Sequence, residues 1–325
     1  MQIRILSGAD VRAAIDMPAA IDAMRDAFAA LAEGRATVPV RLPLETEHGV
    51  TLFMPAHMSG FGEGEVAGAK VVSVNPGNAA ANLPVIHAVV LGIDPLTGQT
   101  RALMDGTWLT ALRTGAIGGL AADLLARQDA GVVALFGAGV QARTQLEAVC
   151  CVRDITEVRV VSPSGVSADA LVAELHAEEE GFGASSTGFR ALRVDSADDA
   201  IAGADIVIAA TSSSTPVFDG SRIEAGTHVT GVGSFTPEMR EVDTALIQRA
   251  RVIVDQREAI MEEAGDIVGP IRDGDVDEAV MAAEIGDVVL GRAQGRTSDD
   301  EITFFKSVGN AIQDLSVATR VLEVA

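Results

Sequence analysis

The stretch 132–142, VVALFGAGVQA, constrains the fold of this chain more than any other. Four of its first five residues are β-branched, aromatic or leucine, as in a buried strand. Gly137, Gly139 and Ala142 then make a G-x-G-x-x-A turn that opens into an amphipathic segment. Such glycines allow a tight turn close to a pyrophosphate, and the helix N-terminus offers N–H groups to phosphates. The pattern predicts a dinucleotide-binding turn, although strand–glycine–helix turns also occur in other α/β proteins.

The residues that follow this turn alternate between strand-like and helix-like segments. Such alternation predicts a parallel, doubly wound sheet, and therefore an α/β fold with a Rossmann-type domain over 118–299. The predicted strands are 132–136, 158–162, 190–194, 205–210, 227–232 and 251–254, and the helices between them are 140–151, 167–179 and one near 196–202.

The first hundred residues have a different pattern, typical of a small sheet with a helix. A helix is expected from the N-cap Asp16 to Gly34. The helix 107–128 leads into the second domain, and a helical tail over 302–325 is expected to return to the first. We therefore predict a second, smaller α+β domain, 1–117 plus 300–325. Its predicted strands are 2–6, 50–58, 68–74, 85–93 and 100–105, and the segment 38–44 is predicted to be extended.

The charge balance limits the partners of the chain. Its 325 residues include 46 acidic and 24 basic side chains, a net charge of −22, which disfavours binding to nucleic acid and to anionic membranes. This surface is either solubilising or an adaptation to high salt, where charges are screened. We see no apolar run long enough to span a bilayer and no signal peptide. Together with the adjacent Cys150 and Cys151, this favours a soluble protein of the reducing cytoplasm.

A few basic side chains are candidates for chemistry. Lys70 and Lys306 are the only lysines, and Lys70 lies on a strand of buried type. A buried lysine is rare unless it is paired, and with a lowered pKa it can donate a proton or anchor a carboxylate; the alternative is a lysine that snorkels from a strand end. Arg41 and Arg113 can bind a planar carboxylate, unless they are ordinary surface arginines.

The second strand of the alternation ends in Ser162, Pro163 and Ser164. NAD-specific sites carry an acidic residue at this position to accept the ribose hydroxyls. Without it, a 2′-phosphate is not repelled, which favours NADP(H) while NAD(H) stays possible. Thr211 and Ser212 follow another strand and are expected to line the cofactor crevice, or else form a polar loop. The histidines and cysteines do not have metal-ligand spacing, so no metal is predicted.

Six ordered segments extend the interpretation to the whole chain: PVRLPL, GAKVVSVNPGN, LPVIHAVVLGIDPLTGQTRALMDGTWLTALRTGA, LFGAGVQA, GVGSFTPEMREVD and FKSVGNAIQD. They resemble the ornithine cyclodeaminase/mu-crystallin family. The resemblance implies homodimers, a first domain that binds substrate and forms the interface, and a Rossmann-like NAD(P) domain. Its members include ornithine cyclodeaminase, an alanine dehydrogenase and reductases of cyclic ketimines.

The resemblance also implies roles for single residues. Arg41, Lys70 and Arg113 correspond to the set that binds the substrate carboxylate and handles protons, and Met54 and Phe235 are expected to line the substrate pocket. The residues expected to bind the cofactor are Thr114, Gly137, Gly139, Val140, Gln141, Ser162, Ser164, Thr211, Ser212, Gly233 and Lys306.

One position departs from part of the family. Cyclodeaminases and the alanine dehydrogenase carry G-x-D-x-P where this chain has Gly233-Ser234-Phe235-Thr236-Pro237. Phe235 thus takes the place of an aspartate that holds the substrate amine or activates water. We therefore expect an NADP(H)-preferring ketimine reductase that forms L-amino acids such as proline or pipecolate. The alternatives are ornithine cyclodeaminase, then an alanine dehydrogenase-like activity, then a non-catalytic ligand-binding protein.

Overall fold

The computed structural model describes residues 3–62, 64–81, 83–177 and 188–325. The chain divides into two units, one made of Met1–Arg113 with Gly309–Ala325 and the other of Thr114–Val308. Each unit is built around its own sheet. Among the described residues, no helix is both long and apolar enough to cross a membrane.

The helices and strands follow one another along the chain in this order. The first are β1 (Arg4–Leu6), α1 (Gly8–Ala14), α2 (Met17–Ala32), β2 (Ala36–Thr37), β3 (Leu42–Thr46), β4 (Gly49–Phe61), β5 (Gly64–Val74), β6 (Ile86–Ile93), β7 (Thr100–Asp105) and α3 (Gly106–Leu125). The next are β8 (Val132–Phe136), α4 (Val140–Val152), β9 (Glu157–Val161), α5 (Gly165–Ala177), β10 (Arg190–Arg193), α6 (Ala197–Ile201), β11 (Ile206–Ala209), β12 (His228–Gly231), α7 (Thr244–Arg249) and β13 (Arg251–Val254). The last are α8 (Arg257–Glu263), α9 (Gly265–Asp273), β14 (Met281–Glu284), α10 (Ile285–Val289), β15 (Thr303–Lys306) and α11 (Ala311–Val324).

The sheet of the first unit has the order β1-β7-β6-β5-β4-β2, with β3 paired to β4. Its pairs are antiparallel except β1 with β7. Alternate residues of β4 and β5 are buried, as expected for a sheet with one covered face. Helix α11 packs against β4, β5 and β6 on that face. A Cβ at Gly68 would lie 2.4 Å from the Leu91 carbonyl oxygen of β6 and 3.1 Å from Cδ1 of Leu315, so the glycine leaves room for both the neighbouring strand and the helix.

The sheet of the second unit has the order β10-β9-β8-β11-β12-β15-β13-β14. Every pair in it is parallel. The chain therefore reverses its direction of winding between β8 and β11, which is the switch point at which doubly wound sheets bind ligands. The predicted fold class is confirmed: the chain is α/β, with a Rossmann-type domain and a smaller α+β unit.

The predicted tail and both predicted domain limits differ from the structure. The sequence predicts one helical tail over 302–325 and places 300–325 in the first domain, but Thr303–Lys306 is strand β15, which lies between β12 and β13. Two successive buried aromatic residues, Phe304 and Phe305, face opposite sides of a sheet whose two faces are both covered. The chain returns to the first unit only at Gly309. Its other limit lies at Arg113 instead of residue 117.

Several other expectations agree with the structure. Asp16 caps α2 by accepting a hydrogen bond from the Ala19 N–H, and Gly34 has a positive φ of 72° after the helix. The predicted hairpin 85–93 and 100–105 is formed by β6 and β7. The predicted strand 2–6 and the helix 167–179 extend, at residue 2 and at 178–179, outside the described residues.

Candidate active site

Lys70 lies on the covered face of β5, together with Gly68 and Val72. Alternation along the strand directs its side chain toward α11. Its Nζ lies 2.7 Å from Oδ2 of Asp314, the fourth residue of that helix, and Lys70 is only 2% exposed. The first unit therefore buries an ion pair against its sheet.

Asp314 also contacts a second cation. Its Oδ1 lies 3.1 Å from Nε of Arg113, while Nη1 of Arg113 donates a hydrogen bond to Oε1 of Gln313 at 2.6 Å. Both side chains on α11 are buried. The Asp314 carboxylate thus holds Lys70 and Arg113 close to each other. Its one negative charge balances only one of their two positive charges.

Arg41 reaches the same region from the segment before β3. Its Nη2 donates a hydrogen bond to the Gly309 carbonyl at 3.0 Å. Gly309 has a φ of 78°, and a Cβ there would lie 2.4 Å from Nη1 of Arg113. The structure therefore brings together the three predicted carboxylate-binding residues, Arg41, Lys70 and Arg113. Met54, 3% exposed, lies opposite Lys70 in the register of β4 and β5.

The surroundings change the acidity of Lys70. Burial lowers the pKa of its ammonium group to about 7, the nearby charges of Arg113 and Arg41 lower it too, and the Asp314 carboxylate acts in the opposite direction. A lysine of this kind exchanges its proton near neutral pH. The cluster can therefore bind a carboxylate through its arginines and give a proton to a bound base.

The glycine turn of the second unit has the geometry expected for a pyrophosphate. Gly137 has a φ of 106°, and a Cβ there would lie 2.4 Å from the Ala210 carbonyl oxygen, so another residue would collide with the end of β11. Gly139 is the N-cap of α4, and a Cβ at this position would meet only open space. Among the residues that the structure describes, no side chain caps this helix. The turn therefore fits a nucleotide phosphate at a helix N-terminus.

Other predicted cofactor residues also lie in the second unit. Val140 and Gln141 begin α4, and Thr211 and Ser212 follow β11. The Thr114 carbonyl on α3 accepts a hydrogen bond from the Gln145 side chain of α4. The carboxyl ends of adjacent parallel strands share one edge of a sheet, where such sites form. Gly233 follows β12, and Ser162 and Ser164 follow β9 at the same edge.

Lys306 does not fit the predicted direct contact with the cofactor. It is the last residue of β15 and is 0% exposed, and its Nζ lies 2.8 Å from Oδ2 of Asp266, which is equally buried. With no exposed surface and with Nζ paired to Asp266, Lys306 lies in the interior of the second unit. Both lysines of the chain are thus buried beside an aspartate.

Three further residues were missed by sequence reasoning. Asp314 holds Lys70, and its only signal was a carboxylate among the apolar residues of a tail helix. Glu241 is 0% exposed and binds the loops after β11 and β12. Arg193, at the end of β10, lies beside Gly165 at the start of α5, where its Nη1 would be 2.7 Å from a Cβ. Each of these contacts depends on strand register or helix packing between residues far apart in the chain.

Phe235 lies in the loop after β12, next to the buried Ser234. Phe235 is 36% exposed, and other large apolar residues such as Phe53 are exposed as well. A ring at this position cannot accept a proton. Among the described residues, no group of three or more His, Cys, Asp or Glu side chains is placed to hold a metal ion.

The family model for the ornithine cyclodeaminase/mu-crystallin family matches residues 1–325. A Δ1-pyrroline-2-carboxylate reductase of Bacillus cereus (strain ZK / E33L) is 38% identical over 307 residues, which cover 92% of this chain and 91% of the relative. The solved Δ1-pyrroline-2-carboxylate reductase of Thermococcus litoralis, in complex with NADH and L-proline, has a TM-score of 0.93 and 38% identity, and the match covers 99% of this chain and 97% of that one. An archaeal alanine dehydrogenase dimer with bound NAD has a TM-score of 0.92 and 36% identity, over 100% of this chain and 96% of the other. The chain therefore belongs to the ornithine cyclodeaminase/mu-crystallin family.

Proposed function

We propose that this protein is an NAD(P)H-dependent reductase of ketimines, such as the cyclic imino acids pyrroline-2-carboxylate and piperideine-2-carboxylate. The observation that carries the proposal is the buried cluster of Lys70, Arg113 and Asp314. Arg41 joins it through a hydrogen bond to the carbonyl of Gly309, which adjoins Arg113. It offers two guanidinium groups for one carboxylate and one lysine for one proton. The similarity to the pyrroline-2-carboxylate reductases supports the same chemistry.

The residues of the first unit prepare the imine for reduction. Arg41 and Arg113 bind its carboxylate and so fix the orientation of the neighbouring C=N bond. Lys70, with its pKa of about 7, gives a proton to the imine nitrogen and makes the carbon more electrophilic. A bound dihydronicotinamide supplies the hydride that this carbon accepts. Asp314 keeps Lys70 in place and favours its protonated form.

We further propose that the enzyme prefers NADPH to NADH. The loop after β9 carries hydroxyl groups, and the Oγ atoms of Ser162 and Ser167 lie 2.9 Å apart. Arg193 adds a guanidinium beside Gly165 at the end of the same loop, where it also pairs with the exposed carboxylates of Asp169 and Asp195. Hydroxyl and guanidinium groups suit a 2′-phosphate, whereas an NAD-specific site places a carboxylate there.

The first prediction concerns this preference. We expect a higher kcat/KM with NADPH than with NADH, and we expect Ser162→Asp to reverse the order because the carboxylate accepts ribose hydroxyls and repels the 2′-phosphate. Steady-state rates with both nucleotides, at a fixed concentration of imine, measure the preference. Equal kcat/KM for the two nucleotides in the parent enzyme would contradict it.

The second prediction separates imine reduction from ornithine cyclodeamination. The latter must oxidise an amine, bind the side-chain amine, release ammonia and return the hydride. An anionic side chain near the reacting carbon helps these steps, and the uncharged ring of Phe235 stands where cyclodeaminases carry an aspartate. We therefore expect rapid oxidation of NADPH with cyclic imines and little turnover of ornithine.

The assay follows NADPH oxidation with pyrroline-2-carboxylate, piperideine-2-carboxylate and pyruvate plus amines. In parallel, L-ornithine with NAD or NADP is tested for ammonia and proline. Rates of ammonia release that match imine reduction would identify the protein as a cyclodeaminase. Reduction of pyruvate with ammonia above all cyclic imines would instead identify an alanine dehydrogenase-like enzyme, and binding without turnover a ligand-binding protein.

We also propose that the protein is a homodimer joined through the outer face of the first sheet. Leu42, Phe53, Val71 and Val89 lie opposite one another in adjacent strands, on the face away from Lys70. Leu42 is 66% and Phe53 39% exposed. This uncharged row is a surface at which two copies of a chain with a net charge of −22 can meet with little repulsion.

The third prediction tests this interface. We expect Phe53→Asp to convert a dimer into a monomer in light scattering coupled to size-exclusion chromatography, because a carboxylate on each copy repels the other and breaks the apolar contact. The matched control is Val166→Asp, since Val166 is an exposed apolar residue of the second unit. A parent protein that runs as a monomer would contradict the proposal.

Location in the reducing cytoplasm stays a prediction from the adjacent cysteines.

A further inference from the structure

The interior of the second unit contains a chain of three charged side chains, Lys306, Asp266 and Glu241. Each of them is 0% exposed. Asp266 pairs with Lys306 through Oδ2 and accepts hydrogen bonds from the N–H groups of Glu241 and Val242 through Oδ1, at 2.6 and 3.0 Å. The ion pair thus holds the backbone at Glu241.

The Glu241 carboxylate in turn joins two loops. Its Oε1 accepts hydrogen bonds from the N–H and the hydroxyl of Thr211, at 2.6 and 2.8 Å, in the loop after β11. Its Oε2 accepts hydrogen bonds from the N–H groups of Gly233 and Ser234, at 2.7 and 3.0 Å, in the loop after β12. Three of the four donors are backbone N–H groups, which cannot accept a proton in return. Burial and the Asp266 carboxylate raise the pKa of Glu241, whereas the charge of Lys306 and the hydrogen bonds from Thr211 favour the ionised carboxylate that this set of donors suits.

These two loops lie at the edge where the nucleotide is expected. The methyl group of Thr211 would be 3.6 Å from a Cβ at Gly137, so the first loop adjoins the glycine turn. A Cβ at Gly233 would lie 2.0 Å from the Thr211 carbonyl oxygen, so the second loop is pressed against the first. Phe235 follows directly on Ser234, whose N–H binds Glu241.

Buried charges of this kind add little net stability, because desolvation offsets their attraction. Their benefit here is geometric, since one carboxylate fixes two loops that have no regular structure to hold them. We propose that Glu241 is a positioning residue for binding of the nicotinamide nucleotide, held in place by Asp266 and Lys306. The inference rests on the proposed function, because it takes the carboxyl edge of this sheet as the nucleotide site.

The decisive variant is Glu241→Gln, which keeps the size of the side chain but turns one acceptor into an NH2 group facing N–H donors. We expect the dissociation constant for NADPH, measured by fluorescence titration without an imine, to rise about ten-fold or more. The KM for NADPH is expected to rise with it, whereas the KM for the imine changes little.

The matched control is Asp205→Asn. Asp205 also accepts hydrogen bonds from two backbone N–H groups and pairs with an arginine, but it lies at the amino edge of the same sheet. We expect this variant to lower the melting temperature while it leaves the dissociation constant for NADPH unchanged. A merely structural role of Glu241 would make both variants behave alike, with lower stability and unchanged affinity of the folded protein.

Should Glu241→Gln fail to fold, the double variant Lys306→Met/Asp266→Leu removes the ion pair as a whole and with it the acceptor for the Glu241 N–H. It is expected to raise the dissociation constant for NADPH as well. The proposal is overturned if the folded Glu241→Gln variant, or the double variant in its place, binds NADPH as tightly as the parent, or if Asp205→Asn binds it as weakly as Glu241→Gln. A parent protein that binds neither NADPH nor NADH would instead overturn the proposed function.

Discussion

The Lys70→Met variant is expected to lose about 10²–10⁴-fold in kcat/KM for cyclic imines, the usual cost of removing a positioned proton donor. Methionine has a similar length and suits the apolar face of β5, so the cavity left behind is small. Asp314 keeps its contact with Arg113 in this variant. Arg113 therefore stays in place to bind the substrate carboxylate, while the proton donor is lost.

The measurement combines NADPH oxidation with a melting curve and the dissociation constant for NADPH. We expect the variant to fold and to bind the nucleotide like the parent, because the glycine turn belongs to the second unit. A suitable control is Met58→Leu, which changes a buried methionine of the neighbouring strand β4 outside the predicted site without changing charge. If Lys70→Met retained a kcat/KM near that of the parent, Lys70 would have no part in the reaction.

The Asp314→Asn variant is expected to shift the pH dependence of the reaction. In the parent, Lys70 must be protonated to act as a donor, and its pKa of about 7 makes kcat/KM fall as the pH rises above 7. The Asp314 carboxylate raises the pKa of Lys70 against the effects of burial and of Arg113. Without this carboxylate the pKa falls further, and the decline in rate begins at lower pH.

At pH 8 the loss in kcat/KM is expected to reach about 10²-fold. The protonated fraction of Lys70 falls ten-fold for each pH unit above its pKa, and Arg113, which binds the substrate carboxylate, is held less firmly without Asp314. A full pH profile between 5 and 9 separates the shift of the decline from a uniform loss. Asp94→Asn is the control, because it removes a carboxylate from the Arg101 pair in the same unit without touching Lys70. An unchanged decline in Asp314→Asn would show that Asp314 does not govern this proton.

The same pKa predicts how the stability of the protein changes with pH. The folded state lowers the pKa of Lys70 from 10.5 to about 7, so between these values it binds fewer protons than the unfolded chain. The contribution of Lys70 to the free energy of unfolding therefore rises as the pH increases across this window. In Asp314→Asn the lower limit of the window moves to lower pH, which chemical denaturation at a series of pH values would detect.

The features that the sequence by itself determined are local ones. Residues 132–142 are read as strand, turn and helix because the apolar run, the two glycines and the helical spacing each depend only on near neighbours. The hairpin of β6 and β7 is predictable for the same reason, since its turn is short and its partners are adjacent. The scarcity of basic residues singled out Arg41, Lys70 and Arg113, to which the family resemblance gave roles, and the structure places all three in one cluster.

What only the tertiary structure decided are the partners of the charged residues. Lys70 pairs with Asp314, 244 positions later in the chain, because α11 packs on the face of β5. Strand β15 could not be told from helix, because a short apolar run has no period of its own and its partners, β12 and β13, are distant in sequence. Because Lys306 is the last residue of that strand, its side chain is buried and is not a surface cation. Burial and pairing depend on which surfaces meet in the folded chain, and no spacing within the sequence encodes that directly.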